Sequence, residues 1–198
     1  MSQLEIWVDF APIAIMAVAF VWCLARILYL LLVQNVSVLS MVSQRKSMPE
    51  YGLAIVAILS SVYTLLRPFV PVLDSWAGRQ ISPVPYWALG VMAFSILLMI
   101  FCQLRMGKSW RIGVPEALQD GQKLVTGGIY GLSRNPIYLA VIMYLAGLFL
   151  LLPGPFTLVS CLATYVFLRP VIAREEAFME ACFGDGFLRY KQKVRRWI

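Results

Sequence analysis

The sequence predicts an all-α integral membrane protein of about five transmembrane helices, the last two a helical hairpin followed by a cytoplasmic C-terminal helix. Three observations lead there. Of the 198 residues, 61% are hydrophobic and only 14% charged, with a mean hydropathy of +0.78; a soluble domain of this length needs far more polar surface over its core. The apolar residues fall in runs near the roughly 20 residues that carry a helix across the hydrocarbon core. The net charge of +7 is spread between those runs, not along one stripe as a nucleic-acid surface requires, so no nucleic acid is expected as a partner.

Taken in order, residues 10–33 form the first run, with Arg26 in its second half placed to snorkel its guanidinium toward the headgroups. An ionisable group inside a span is also a functional candidate. Glu5 and Asp9 precede the run where a secretory signal carries Lys or Arg, and the run is too long for a signal core, so it is read as retained. Residues 51–73 form the second run, with Pro68 and Pro71 breaking it near its end, and residues 84–104 the third. Residues 137–152 and 156–168 are shorter arms, the second extendable to Ile172, and Pro153-Gly154-Pro155 between them is a turn signal. All 198 residues read as one membrane domain, with three spans up to residue 105 and a more polar part from 106 to 198.

The loops test this arrangement. An outside N-terminus leaves residues 34–50, 105–136 and 169–198 in the cytoplasm, with Arg45, Lys46, Arg105, Lys108, Arg111, Lys123, Arg134, Arg169, Arg174, Arg189, Lys191, Lys193, Arg195 and Arg196. Arg67 and Arg79 stay outside. That asymmetry is the positive-inside bias, and it predicts an outside N-terminus and a cytoplasmic C-terminus. The chain has no histidine, and its four cysteines form no CxxC pair; neither a metal nor a metal site is expected. Cys23, Cys102 and Cys161 lie in apolar runs and read as packing residues.

Residues 107–136 form a long loop whose Trp110, Gly127, Gly128, Tyr130 and Gly131 favour an ordered conformation. It contains Leu124-Val125-Thr126-Gly127-Gly128-Ile129-Tyr130 and then Arg134-Asn135-Pro136-Ile137-Tyr138. After the hairpin come Arg174-Glu175-Glu176, Phe183-Gly184 and Tyr190. In this order and spacing the set resembles the isoprenylcysteine carboxyl methyltransferase family and its phospholipid methyltransferase relatives, over roughly residues 107–194. Ser109-Trp110-Arg111-Ile112-Gly113 resembles the prokaryotic branch, which implies a bacterial inner membrane as the location.

The resemblance implies a multi-span helical enzyme using S-adenosylmethionine without a Rossmann domain, and the sequence holds no strand-to-helix GxGxxG. It implies a cofactor pocket built from Gln122, Lys123, Leu124, Val125, Tyr130, Asn135, Pro136, Ile137, Tyr138 and Glu175. Catalytic roles fall to Arg134 and Glu176, and acceptor contacts to Arg111 and Arg174. The chemistry suits each: backbone groups of 123–125 pair with an adenine edge, an aromatic face attracts a sulfonium, and a guanidinium binds a carboxylate. Taken singly, Tyr130 and Tyr138 also suit an interfacial aromatic belt, Pro136 a helix start, and Glu175 and Glu176 a solvated face. A carboxylate acceptor needs no base, whereas an amine acceptor would draw on Glu175, Glu176 or a tyrosine.

Two departures bear on the acceptor. Asn135 stands where the eukaryotic carboxyl methyltransferases have His, and Val171 where they place a substrate-side Arg. A small lipophilic acid, thiol, amine or phospholipid headgroup is therefore as open as a lipid-modified protein. The tail from Asp185, with Phe187, Leu188, Tyr190, Val194 and Trp197 among basic residues, reads as an interfacial helix lying on anionic lipid. The competing readings are a membrane reductase of related fold using a nicotinamide cofactor, and a non-enzymatic transporter subunit or scaffold, for which no internal repeat is visible.

Overall fold

The computed structural model describes residues 3–35, 47–111, 113 and 123–198. Arg45, Lys46, Ile112 and the expected pocket residue Gln122 lie outside the described residues.

Every regular element among the described residues is helical. The long helices are α1 (Gln3–Leu32), α2 (Met48–Leu66), α4 (Pro85–Met106), α5 (Pro136–Leu151) and α6 (Pro155–Phe183), with the short α3 (Val72–Trp76) and α7 (Asp185–Lys193) beside them. Four of them, α1, α2, α4 and α6, are long and apolar enough to cross a membrane, and α5 is a shorter apolar helix. Phe20, Val21, Ile55, Ile58, Trp87, Leu97, Val159 and Val166 are exposed on the outside of the bundle. Such a surface suits lipid and would be a liability in water. The protein is an integral membrane protein.

α5 is apolar all round, and among its large side chains only Leu150 is exposed. A helix without a polar face belongs inside a bundle, and α5 lies between α4 and α6. Gly147 makes the α4 contact close: a Cβ there would meet Met92 Cγ at 2.7 Å and the Ala88 carbonyl at 3.2 Å. Around it Ala88, Met92, Leu145, Leu148, Leu151 and Tyr63 form the main core. The hairpin turn at 152–154 is tied down from outside, with the Gln80 amide donating to the Pro153 carbonyl at 2.6 Å.

The second run ends as a helix at Leu66, and Pro68 and Pro71 break it from α3 as expected. Two expectations change. α6 does not stop near Ile172 but continues through Pro170 to Phe183, making Glu175 and Glu176 part of the membrane helix. Charge does not end a helix; Gly184 does, with φ +50 at the position where glycine alone is comfortable. Arg26 does not snorkel outward. It is buried, and its Nη2 donates to the Gly107 carbonyl at 2.8 Å and toward that of Gln103 at 3.4 Å, neutralising the negative end of α4.

The opposite end of the bundle holds a second buried cation that the sequence reading treated as a loop charge. Arg67 donates to Asp9 at 2.7 Å and to Asp74 at 2.9 Å, and Arg79 reaches Asp74 at 2.6 Å. Tyr63 adds its hydroxyl to Asp74 at 2.9 Å. The cluster joins α1, α2 and α3.

Candidate active site

The site begins where α4 ends. Ser109, in a single 3₁₀ turn at Gly107–Ser109, uses its hydroxyl twice on one residue: it donates to the Lys123 carbonyl at 3.0 Å and accepts from the Lys123 amide at 2.9 Å. That pair fixes the return of the chain, and Leu124 and Val125 follow outside any regular element. A second 3₁₀ turn, Gly128–Gly131, opens with Gly128 at φ +64, where any side chain would press on the Arg105 guanidinium at 3.1 Å. The turn buries Tyr130 under the loop, and its carbonyl accepts from the Tyr190 hydroxyl at 2.6 Å. Burial pushes the Tyr130 phenol well above its ordinary value, so it is no base near neutrality.

Arg134-Asn135-Pro136 then starts α5, with Pro136 in the first turn as expected. Arg134 spends its guanidinium on protein groups: Nη2 donates to Glu176 Oε1 at 2.8 Å, and Nη1 to the carbonyls of Val194 at 2.7 Å and Lys191 at 3.1 Å. Arg196 reaches the other Glu176 oxygen at 2.7 Å. Asn135 donates toward the Arg196 carbonyl at 3.4 Å, and the Arg134 amide to that of Arg195 at 2.9 Å. The sequence thus places Arg134, Asn135 and Glu176 together, and the structure adds what they hold: the C-terminal tail.

One residue earlier on α6, Glu175 points elsewhere. Successive helical residues face different directions, and Glu175 Oε2 accepts from the Tyr138 hydroxyl at 2.8 Å. Arg111 approaches from the loop, donating toward Met179 Sδ at 3.4 Å and lying 5.1 Å from the Phe178 ring centroid. Burial lowers the Arg111 pKa, with the negative charge of Glu175 opposing.

These groups line a half-open pocket with about 70 Å³ of open space. Of the expected residues, Lys123, Leu124, Val125, Tyr130, Arg134, Asn135, Glu175, Glu176 and Arg111 line it. Pro136, Ile137, Tyr138 and Arg174 are not in its lining. Ile137 packs instead with Leu30 and Trp110. Tyr138 stands behind Glu175 on the wall of a second cavity. Arg174 turns to Glu50 at the start of α2, at 2.9 Å, an ion pair exposed on the Arg174 side and mostly buried on the Glu50 side.

Several lining residues were missed: Met106, Ser109, Met179, Phe183, Phe187 and Tyr190. The last two matter most. α7 was expected to lie on lipid, but it buries Phe187 and Tyr190 against Leu124, Met179 and Phe183, closing the pocket. The i, i+3 spacing of Phe187 and Tyr190 marked an apolar face without saying what covers it.

Bundle and pocket together define an integral membrane protein with a half-open pocket lined by its central loop, α6 and C-terminal tail. The chain belongs to the phospholipid methyltransferase family, whose sequence model matches residues 84–186. It is 32% identical over 109 residues to the protein-S-isoprenylcysteine O-methyltransferase of Schizosaccharomyces pombe, covering 54% of this chain and 46% of that protein. To the Homo sapiens protein of that name it is 30% identical over 142 residues, covering 70% and 48%. The chain thus spans about half the length of these curated relatives. A solved eukaryotic intramembrane Ras methyltransferase, isoprenylcysteine carboxyl methyltransferase, superposes with a TM-score of 0.69 at 23% identity, over 98% of this chain and 67% of that one. That likeness is one of fold.

Proposed function

We propose that this protein is an S-adenosylmethionine-dependent methyltransferase acting on a lipophilic acceptor at the cytoplasmic face of the membrane. The observation that carries the reading is the Tyr138–Glu175 pair: Glu175 lines the half-open pocket, Tyr138 lines an apolar cavity inside the bundle, and one 2.8 Å hydrogen bond joins them. At that pair a pocket open to water adjoins an apolar cavity between the helices, so a water-soluble reactant and a membrane-soluble one can meet there.

The pocket suits the cofactor in its donor set. The main chain of 123–125, pinned by Ser109, offers an adenine edge its amide and carbonyl groups. Glu175 keeps lone pairs beyond the Tyr138 bond for an ammonium or ribose hydroxyl. Met106, Met179, Phe183 and Phe187 supply polarisable and aromatic walls for a sulfonium. When bound, the cofactor supplies an activated methyl group, and displacement at that carbon depends on alignment and exclusion of water.

The protein's own residues do the aligning. Glu176, neutralised by two guanidiniums, is no base; with Arg134 it acts as a positioning pair that holds the tail, and through it Phe187 and Tyr190, over the pocket. Arg111, one of the cations of the pocket wall, is assigned to the anionic group of the acceptor or the cofactor. Arg174 is assigned to the rim, where its pair with Glu50 ties α2 to α6. A carboxylate or thiolate acceptor is served without a base; for an amine, Glu175 is the available carboxylate. The acceptor class is an isoprenylcysteine-like carboxylate or another small lipophilic or phospholipid group. The cytoplasmic assignment rests on the positive-inside bias, since the pocket end carries Arg105, Lys108, Arg111, Lys123 and the basic tail.

Calorimetric titration of detergent-purified protein with S-adenosylhomocysteine tests this. Wild type should bind, and Glu175→Ala should weaken binding by roughly 10- to 100-fold, the loss of one charge-assisted hydrogen bond. No binding by folded wild type would overturn the reading.

A further inference from the structure

The half of α1 nearest the pocket turns most of its large side chains outward, with Val21, Leu24, Leu28 and Tyr29 exposed. Arg26 and Leu30 are the buried exceptions. With Trp22 they form an i, i+4, i+8 stripe along one face of the helix. The stripe meets one short stretch of chain in order. Trp22 Nε1 donates to Gln103 Oε1 at 2.8 Å, Arg26 Nη2 donates to the Gly107 carbonyl at 2.8 Å, and Leu30 packs with Trp110. α1 thus holds the last turn of α4 and both ends of the 3₁₀ turn Gly107–Ser109.

The pocket hangs on that turn. Met106 precedes it, Ser109 is its last residue, and both line the pocket. Ser109 in turn holds both main-chain groups of Lys123, where the lining segment 123–125 begins. α4 no longer fixes the chain at this point, because Gly107 ends it at φ +54. The last carbonyls of a helix lack partners within it, and their negative end attracts a cation. Arg26 supplies one from another helix, at the residue where the turn begins. A charge in a span costs free energy that extension toward the headgroups relieves, yet this guanidinium points inward. We infer that Arg26 is a positioning residue of the pocket: it holds the Gly107 carbonyl, and through the turn it sets Ser109 and the main chain that Ser109 carries. That the pocket takes S-adenosylmethionine rests on the methyltransferase reading; the coupling itself does not.

The test follows amide exchange at Lys123 by nuclear magnetic resonance, on the full chain in detergent with isotope-labelled lysine. That amide donates to Ser109 Oγ at 2.9 Å, so its protection reports the pair directly. Arg26→Met should speed exchange there roughly 10- to 100-fold, the worth of one hydrogen bond to a charged group. Arg26→Lys should restore most of the protection, since an ammonium can make both donations that Nη2 makes, to Gly107 and toward Gln103. Should Arg26→Met not fold, Arg26→Gln, a shorter neutral donor, takes its place in the same comparison. Ser109→Ala should free the Lys123 amide by itself, and adding the Arg26 change should do nothing more. Arg79→Met, which breaks an ion pair at the opposite end of the bundle, controls for general loosening and should leave Lys123 protected.

S-adenosylhomocysteine titrated into the same samples should bind about tenfold more weakly to Arg26→Met and recover in Arg26→Lys. Wild-type exchange in the folded Arg26 variant, no rescue by lysine, an additive double variant or an equal rise in Arg79→Met would overturn the inference. So would faster exchange with cofactor affinity unchanged. Failure of wild type to bind would remove the methyltransferase reading, while Lys123 exchange still reported the coupling.

Discussion

Replacing Arg134 with alanine removes the ion pair to Glu176 at 2.8 Å and the donations to the Val194 and Lys191 carbonyls at 2.7 and 3.1 Å. Both partners of the ion pair are largely buried, at 11% and 9% side-chain exposure, and breaking such a pair typically costs about 3–5 kcal/mol. Glu176 is not orphaned, because Arg196 keeps its 2.7 Å contact from a more exposed position. The cost of releasing the tail is therefore put below that range, at about 2–3 kcal/mol. That raises the open population roughly 30- to 150-fold. Hydrogen exchange of the backbone amides from Tyr190 to Arg196, followed by mass spectrometry in detergent, should accelerate by that factor while the amides of α4 and α5 stay protected. S-adenosylhomocysteine affinity should fall with it, because Phe187 and Tyr190 leave the pocket with the tail. Arg134→Lys restores the charge without the planar fork and should recover part of the protection. Unchanged exchange in a folded Arg134→Ala variant would refute the clamp and return Arg134 to the list of groups that face a ligand.

Two further outcomes concern stability. Gly147→Ala should lower the detergent melting temperature, because its methyl would meet Met92 Cγ at 2.7 Å and the Ala88 carbonyl at 3.2 Å; overpacking of this kind costs about 1–3 kcal/mol, and an unchanged melting temperature would show the α4–α5 contact to be loose. At the other end, burial works against ionised Asp74, but its bonds to Arg67 and Arg79 outweigh it and hold the carboxyl below its ordinary value. Its folded pKa being depressed, the stabilisation is complete above about pH 4 and is lost as the pH falls through the folded value. Melting curves of wild type and Asp74→Asn should therefore differ at pH 7 and converge as the solution is acidified below about pH 4; a constant gap would mean that charge is not what Asp74 contributes.

What the sequence made legible was whatever depends on composition over a window or on local chemistry. The spans followed from hydropathy, the breaks at Pro68 and Pro153 from proline, and the start of α5 from Asn135-Pro136. Hydropathy alone ends α6 near Ile172, because Arg169 interrupts the apolar run, whereas residues 169–183 are mostly good helix formers that run on to Gly184. The polar loop, the Glu175-Glu176 pair and Tyr138 were read as one constellation, and the structure brings them within one pocket wall or its immediate backing. The missing parts are all long-range. Nothing local says that Arg26 reaches Gly107, 81 residues away, or that Arg174 meets Glu50 across 124. The same holds for α7, whose apolar face was visible but whose partner was a choice between lipid and protein that only packing decides.

The modest length of α5 shapes what lies at its two ends. Its 16 residues extend about 24 Å, against a hydrocarbon core of roughly 30 Å. Buried between α4 and α6, with Leu150 alone of its large side chains exposed, α5 does not set the thickness of the bilayer; its longer neighbours do. A helix about 6 Å short of that core instead draws the segments at its two ends inward, and the loop that opens the pocket is one of them.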